Sequence, residues 1–346
     1  MRKDIRLLSL SQLESHFETL GEKKFRAKQV YQWLWQKNAH GFSEMSNLSL
    51  SLREKLEEAF HISPLNVDFY QRSEDGTIKN ILNLFDGNKI ESVLIPTPKR
   101  NTGCISSQVG CSLDCLFCAT AKLKRMRNLS TGEIVDQVVS LDKQSRQFTG
   151  KPLTNIVLMG MGEPLLNYPN VVEAIEKITS PSGLGLSPRR ITLSTSGIPK
   201  MIEKLADQNL RIKLAFSLHS AIEVTRNKIM PFSVKFPLEE IKEALLYWYQ
   251  KTGSIITLEY VVWKGINDTE KDIDALVDFC KIIPSKVNLI QYNSIGDPDF
   301  IPAEEEKIQN YVKKLERNNL TVSIRRSRGQ DIDAACGQLS GKTQKE

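Results

Sequence analysis

Short β-branched runs alternate with longer amphipathic ones beyond residue 104, and this rhythm constrains the fold more than any other feature of the chain. Strand-like runs cover 104–109, 155–159, 190–195, 212–218, 257–262, 287–291 and 321–325. Helical patterns lie between them, at 131–145, 238–251 and 271–282 among others. Strands separated by helices pair in parallel, because the crossover carries the chain back to the same end of the sheet. Seven strands fall short of a closed (βα)8 barrel, so an α/β fold with a partial, open TIM-like barrel is expected. In such folds the chemistry sits at the C-terminal strand ends.

The chain before residue 104 reads differently. Ser11-x-x-Glu14 and Ser51-x-x-Glu54 have the form of capping boxes. They predict helices that turn Phe17 and Leu20, and then Leu52, Leu56 and Phe60, inward. Between them Phe25, Val30, Trp33 and Leu34 recur at helical spacing behind Lys23, Lys24, Arg26 and Lys28. Asp75-Gly76 and Asp86-Gly87 are turn signals between apolar runs, so 67–95 reads as a β-meander. The expected organisation is a helical accessory domain over 1–65, a meander extension over 66–97, a core barrel over 98–330 and a tail over 331–346.

Composition removes several classes of function. Hydrophobic residues make up 40% of the 346, enough for a large core, yet no apolar run is long enough to span a bilayer. The first ten residues lack the apolar stretch of a signal peptide, so a cytoplasmic protein with no membrane partner is expected. A net charge of +6 is compatible with a polyanionic partner without requiring one. The six cysteines do not read as a disulfide framework, because four of them fall within fifteen residues.

That crowding holds the strongest motif. Cys111, Cys115 and Cys118 stand at C-x3-C-x2-C, which suits three irons of a [4Fe–4S] cluster and leaves the fourth iron open. Zinc is the competing occupant; it usually takes four protein ligands, and no histidine is near in sequence. Met159-Gly-Met-Gly162-Glu163-Pro164 follows a strand, with glycines that permit close backbone approach and a carboxylate that can accept from an ammonium. Ser194, the group Ser217-Leu218-His219 and Asn293 also fall at predicted strand ends, where they could line one pocket. Cys104 opens the first strand. Cys336 lies in a small, polar stretch, Asp331-Ile-Asp-Ala-Ala-Cys336-Gly-Gln-Leu339, suited to an exposed and reactive thiol. Cys280 reads as a buried apolar residue on a helix.

The cysteine triad with Phe117 before its last member resembles the radical S-adenosylmethionine (SAM) superfamily. Together with Glu91-Ser-Val-Leu-Ile-Pro96, GMGEPLLN at 160–167, STSG at 194–197, SLH at 217–219 and the tail motif, the chain resembles the RlmN/Cfr family of radical SAM RNA adenine methyltransferases over nearly its whole length. Gln330 departs from the pattern, where an acidic residue is expected. The resemblance implies one cluster on Cys111, Cys115 and Cys118, and two SAM molecules per turnover. It assigns SAM contacts to Gly162, Glu163, Ser194, Ser217, Leu218, His219 and Asn293. It makes Cys336 the methyl carrier, Cys104 the thiol that resolves the RNA adduct through a disulfide, and Glu91 the proton acceptor. It further implies 23S rRNA and tRNA as partners, C2 of adenine as the target and an electron donor such as flavodoxin, in a protein expected to be monomeric. Chemistry at C2 has a physical rationale: the carbon is electrophilic, so ordinary methyl-cation transfer fails there. C8 methylation, a small-molecule radical SAM enzyme and a non-enzymatic iron–sulfur or zinc RNA-binding protein are the alternatives. Lys23, Lys24, Arg26 and Lys28, or Lys122, Lys124, Arg125 and Arg127, are the expected RNA contacts.

Overall fold

The computed structural model describes residues 2–123 and 125–341. Its main sheet has ten strands. Three come first: β1 (Asn66–Arg72), β2 (Ile78–Asn83) and β3 (Lys89–Pro96). Seven more are β4 (Asn101–Ile105), β5 (Asn155–Leu158), β6 (Ile191–Thr195), β7 (Lys213–Ser217), β8 (Ile256–Val261), β9 (Ser285–Ile290) and β10 (Thr321–Arg325). Each strand pairs with its sequence neighbour, so β1 and β10 are the two edges and the sheet stays open. Pairing is antiparallel as far as β4 and parallel from there on. The meander is continuous with the parallel strands, because Val93 of β3 faces Cys104 of β4.

Three helices, α1 (Leu10–Thr19), α2 (Lys24–Trp35) and α3 (Leu50–Ala59), precede the sheet. The others are α4 (Thr131–Thr149), α5 (Tyr168–Thr179), α6 (Pro199–Asp207), α7 (Glu223–Ile229), α8 (Leu238–Thr252), α9 (Glu270–Ile282) and α10 (Glu305–Arg317), each in a crossover between parallel strands. Strand alternation explains the layering. Ile191 and Leu193 of β6 are fully buried in the main core, while Thr192 and Ser194 between them line an interior cavity. Leu214, Phe216, Leu258, Val287 and Leu289 are likewise core residues, and Ser217, Thr257, Glu259 and Asn288 face the cavity. The interior that a closed barrel fills with branched side chains is here hollow, with polar groups set among apolar ones such as Val157, Val261 and Ile290.

Several expected boundaries move. The first parallel strand ends at Ile105 instead of 109, because Ser106 N–H donates to the side-chain oxygen of Gln137 at 2.8 Å, and Gln108–Val109 pairs separately with Arg127–Asn128. Cys104 is therefore the next-to-last residue of that strand and not its first. The caps of α1 and α3 sit two residues earlier than expected: Ser9 forms the capping box with Gln12, and Ser49 accepts from Leu52 N–H. Phe17, Val30, Leu34, Leu52, Leu56 and Phe60 are buried as the spacing predicts, but Leu20 and Trp33 are half-buried, Phe25 is exposed, and Leu13 and Trp35 take inward positions. The N-terminal segment is fastened to the sheet's outer layer by Arg6, whose guanidinium pairs with Asp136 of α4 at 2.8 Å.

Candidate active site

A cavity of about 480 Å3 occupies the open barrel, and the wall carries Cys104, Cys111, Cys115, Cys118 and Cys336 together. The loop after β4 holds the triad over the C-terminal strand ends. Asp114 accepts from Phe232 N–H at 2.7 Å, and Leu116 N–H donates to the Ile229 carbonyl at 3.0 Å. Phe117 packs in an aromatic box, 4.9 Å from the rings of both His219 and Trp263 and 6.1 Å from Phe300. Burial pushes the Cys111 thiol up to about 12 and raises Cys115 and Cys118 as well. The charges of Cys118 and Cys111 bear on Cys115, so the three sit close enough to interact. Buried thiols of this kind ionise readily only beside added positive charge, which metal binding supplies. Among the described residues, no three His, Cys, Asp or Glu side chains gather as a site for a single ion. Three thiols sharing one cavity wall nonetheless suit a multi-iron cluster as a donor set.

The glycine-rich turn after β5 lies against this loop. Gly162 has φ +95°, and a Cβ there would come within 2.5 Å of Gln108 Cβ, so glycine is required twice over. The contact matters because Gln108 Oε1 accepts from Glu163 N–H at 3.0 Å. Glu163 is buried at the cavity wall; its carboxylate accepts from Ser196 N–H at 2.8 Å and Leu165 N–H at 3.0 Å. Burial raises its pKa against those hydrogen bonds. A cationic group entering the cavity would relieve that cost, so the carboxylate suits the ammonium of an amino acid.

His219 is also buried, in the left-handed region at φ +56°. Burial, and then the Arg226 cation, hold it down at about 3, so the imidazole is neutral. Its Nδ1 accepts from Val261 N–H at 3.2 Å, which leaves the proton on Nε2 as a donor. Arg226 gave no signal in the sequence. It is nearly inaccessible and donates to the carbonyls of Ser196, Ser217 and Leu218 at 2.6, 2.9 and 2.5 Å, locking the ends of β6 and β7 together. Ser194, Ser217 and Asn293 line the cavity with Gly162, Glu163 and His219. Leu218 does not: its side chain is fully buried in the main core.

The tail brings the last cysteine in from far along the chain. Asn293 Nδ2 donates to the Cys336 carbonyl at 3.1 Å, and Ala119 N–H donates to Gly337 O at 2.7 Å. Thr120 Oγ1 donates to Leu339 O at 2.6 Å, tying the tail to the residues just after the triad. Gln330, the departure noted above, supports this loop by donating to Asn293 Oδ1 at 2.8 Å. Burial is the largest cause that raises Cys104 and Cys118, and Cys336 is near enough for its charge to raise both further, which leaves Cys104 at about 12. The charges of Cys336, Glu259 and Cys104 raise the Arg325 pKa, with Cys336 foremost, so this guanidinium lies close enough to the thiol pair to interact with it. Glu91 stands outside the cavity wall. It is wholly buried, accepts from Ser340 N–H at 2.8 Å and faces Lys79 Nζ at 3.7 Å. Cys280 is buried in the core on α9.

The expected RNA contacts fare unevenly. Arg127 is committed to Glu133 at 2.8 Å and Asp86 at 2.5 Å, and Lys122 to Asp297 at 3.2 Å. Lys24 pairs with Glu18 at 3.1 Å, and Lys23 and Lys28 are exposed. Lys124 lies outside the described residues.

Comparison with known proteins decides the family. Residues 105–280 match the radical SAM superfamily, and residues 4–62 match the ribosomal RNA large subunit methyltransferase N-terminal domain. A probable dual-specificity RNA methyltransferase RlmN from Flavobacterium johnsoniae is 60% identical over 341 residues, covering 99% of this chain and 98% of the relative. The chain belongs to the RlmN family. A dual-specificity RNA methyltransferase RlmN from Geotalea uraniireducens is 43% identical over 99% of this chain and 98% of its own length. The crystal structure of a radical SAM methyltransferase from Sphaerobacter thermophilus superposes with a TM-score of 0.91 at 35% identity, over 98% of this chain and all of that one. Radical SAM enzymes use a [4Fe–4S] cluster and SAM, and the RlmN family consumes two SAM per turnover.

Proposed function

We propose that this chain methylates C2 of an adenine in 23S rRNA and in tRNA through a methyl group first carried on Cys336. The observation that carries the reading is the convergence of Cys336 and Cys104 on the cavity that also bears Cys111, Cys115 and Cys118. Cys111, Cys115 and Cys118 hold the cluster. When bound, the cluster and SAM supply one-electron chemistry that takes a hydrogen atom from an unactivated methyl group.

The residues of the chain do the rest. Glu163 and the turn at Gly162 receive the amino group of SAM, while Ser194, Ser217, the Leu218 backbone, His219 and Asn293 orient the remainder. The Cys336 thiolate attacks the methyl carbon of one SAM, forming an S–CH3 bond as the sulfonium sulfur keeps the broken bond's electron pair and departs as a neutral thioether. Once the carrier carbon is bonded to C2, the Cys104 thiolate attacks Cys336 Sγ and forms a disulfide, while the S–C electron pair leaves with the carrier carbon, is delocalised into the adenine ring and takes up a proton to give the methyl group. Glu91 takes the proton that C2 must lose, and its tie to Ser340 N–H couples it to the Cys336 loop. No helix among the described residues is long and apolar enough to cross a membrane. We take the site of action to be the cytoplasm, with a flavodoxin-type electron donor and a monomeric enzyme.

The test is expression of wild type and Cys118→Ala in a bacterial strain that lacks its own adenine-C2 methyltransferase, with rRNA and tRNA digested separately and methyladenosines identified by mass spectrometry. The expected result is 2-methyladenosine in both digests with wild type only. Dominant 8-methyladenosine would move the target carbon, and no methyladenosine from folded, cluster-loaded protein would end the reading.

A further inference from the structure

The cavity has a second end. Arg100 directly precedes β4, Arg190 directly precedes β6, Lys213 opens β7 and Lys286 is the second residue of β9. All four therefore sit at the N-terminal ends of parallel strands, opposite the cysteine loop. Arg100, Lys213 and Lys286 belong to the wall of the same cavity as Cys104 and Cys336. Arg190, Arg100 and Lys286 are near enough to act on the Lys213 ammonium, which burial and their like charge together make harder to protonate. Among the described residues none of the four is in an ion pair; Glu259, deeper in the bore, is the acid that Lys286 influences.

Like charges gathered at one opening without counter-charge cost stability unless an anion settles among them. The other approaches look different. Beside the cysteine loop, Lys122 and Arg127 are already spent on Asp297, Glu133 and Asp86, Arg125 meets the Asn128 side chain at 3.4 Å, and exposed Arg326 is the wall's unpaired cation at that end among the described residues that flank it. Across the unclosed side of the barrel the chain after β10 forms a strap. Gly329 N–H donates to Asp75 Oδ2 at 3.0 Å, and Ser73 Oγ donates to Asp331 Oδ1 at 2.6 Å.

We infer that RNA enters from the N-terminal strand ends, with Arg100, Arg190, Lys213 and Lys286 clamping the phosphates that flank the target nucleotide while its base passes up the bore to Cys336. The inference rests on the RNA methyltransferase reading and names the docking face for that substrate. A base must leave its stack to be modified, and its phosphates then need a cationic rim around the pocket it enters. Strand register supports the path: Cys104, Val157, Thr192 and Lys213 are successive hydrogen-bonded partners across β4 to β7. In a tilted barrel such a row climbs obliquely, so it leads from the rim toward the resolving cysteine.

The experiment measures binding of a labelled RNA hairpin with one adenine in its single-stranded loop, using full-length cluster-loaded protein under anaerobic conditions over a range of KCl. Each phosphate contact contributes about 0.7–0.9 to the slope of log affinity against log salt. The paired variants Lys213→Gln/Lys286→Gln and Arg100→Gln/Arg190→Gln should each lower that slope by about 1.4–1.8 and weaken binding roughly tenfold or more at low salt. Lys213→Arg/Lys286→Arg should restore both, and Lys24→Gln/Lys28→Gln should change the slope far less. Visible cluster absorbance and the thermal midpoint report on folding in every variant. Wild-type binding with an unchanged slope in folded Gln variants, or a slope that falls only in the Lys24/Lys28 variant, overturns the proposal and leaves the RNA reading standing. A wild type that does not bind the hairpin removes both.

Discussion

Gly162→Ala isolates the close approach on which the Glu163 carboxylate depends. The new Cβ meets two costs. At φ +95° an L side chain is strained, worth about 1–2 kcal/mol. The atom would also lie 2.5 Å from Gln108 Cβ and 2.8 Å from Gln108 N, so backbone as well as side chain must shift, at a cost of about 1–3 kcal/mol typical of overpacking. Together these amount to about 2–5 kcal/mol. Gly150→Ala is the control. Gly150 ends α4 in the left-handed region at φ +68°, and nothing lies within 4 Å of its Cβ position, so only the conformational cost of about 1–2 kcal/mol applies. Urea unfolding of both variants should therefore separate them by about 1–3 kcal/mol. Displacing Gln108 also loosens the 3.0 Å hydrogen bond to Glu163 N–H, so SAM affinity by calorimetry should fall at least tenfold in Gly162→Ala and stay near wild type in Gly150→Ala. Equal stabilities and equal SAM affinities in the two variants would refute the close-approach argument.

Other expectations follow from the same geometry. Arg226→Met removes a charged donor from three carbonyls, of which only that of Leu218 keeps a second donor, Ser220 N–H at 2.7 Å, and should cost about 2–5 kcal/mol in urea unfolding; Arg226→Lys should recover only part of it, because one ammonium cannot match the spread of the fork. His219 has its folded-state pKa lowered from 6.5 to about 3, so the unfolded chain binds the extra proton and wild-type stability falls as pH drops from about 6.5 toward 3. His219→Asn, which tolerates the positive φ, should flatten the stability profile between pH 6.5 and 4 by up to about 1.4 kcal/mol per pH unit; identical slopes in both proteins would count against a neutral buried imidazole. Cys104→Ala should leave RNA covalently held on Cys336, seen as a denaturation-resistant band, and Cys336→Ala should abolish both band and product. Glu91→Gln removes the ionisable proton acceptor yet keeps an oxygen for Ser340 N–H, so product formation should fall at least tenfold; the thermal midpoint should fall as well, because buried Lys79 loses the carboxylate it faces at 3.7 Å.

The sequence by itself determined the parts of this protein that depend on local pattern. The βα alternation gave seven parallel strands, since crossovers force that pairing, and C-x3-C-x2-C placed three thiols on one short loop because three and four residues of chain cannot separate them far. The glycine turn and the polar strand ends were legible for the same reason, each lying at a point where periodicity stops. Tertiary structure decided what lies far apart in sequence. Cys336 reaches Cys104 only because the tail doubles back across the strand ends and is pinned by Asn293, Ala119 and Thr120. Arg226, an ordinary cation on an amphipathic run, becomes a buried clamp because the ends of β6 and β7 turn three carbonyls toward it. Ion pairing also divides the cations, tying Arg127 to Glu133 and Asp86 while leaving Lys213 among like charges at the rim. A linear pattern records that a residue is basic; which acid meets it depends on distances set only when the sheet curls.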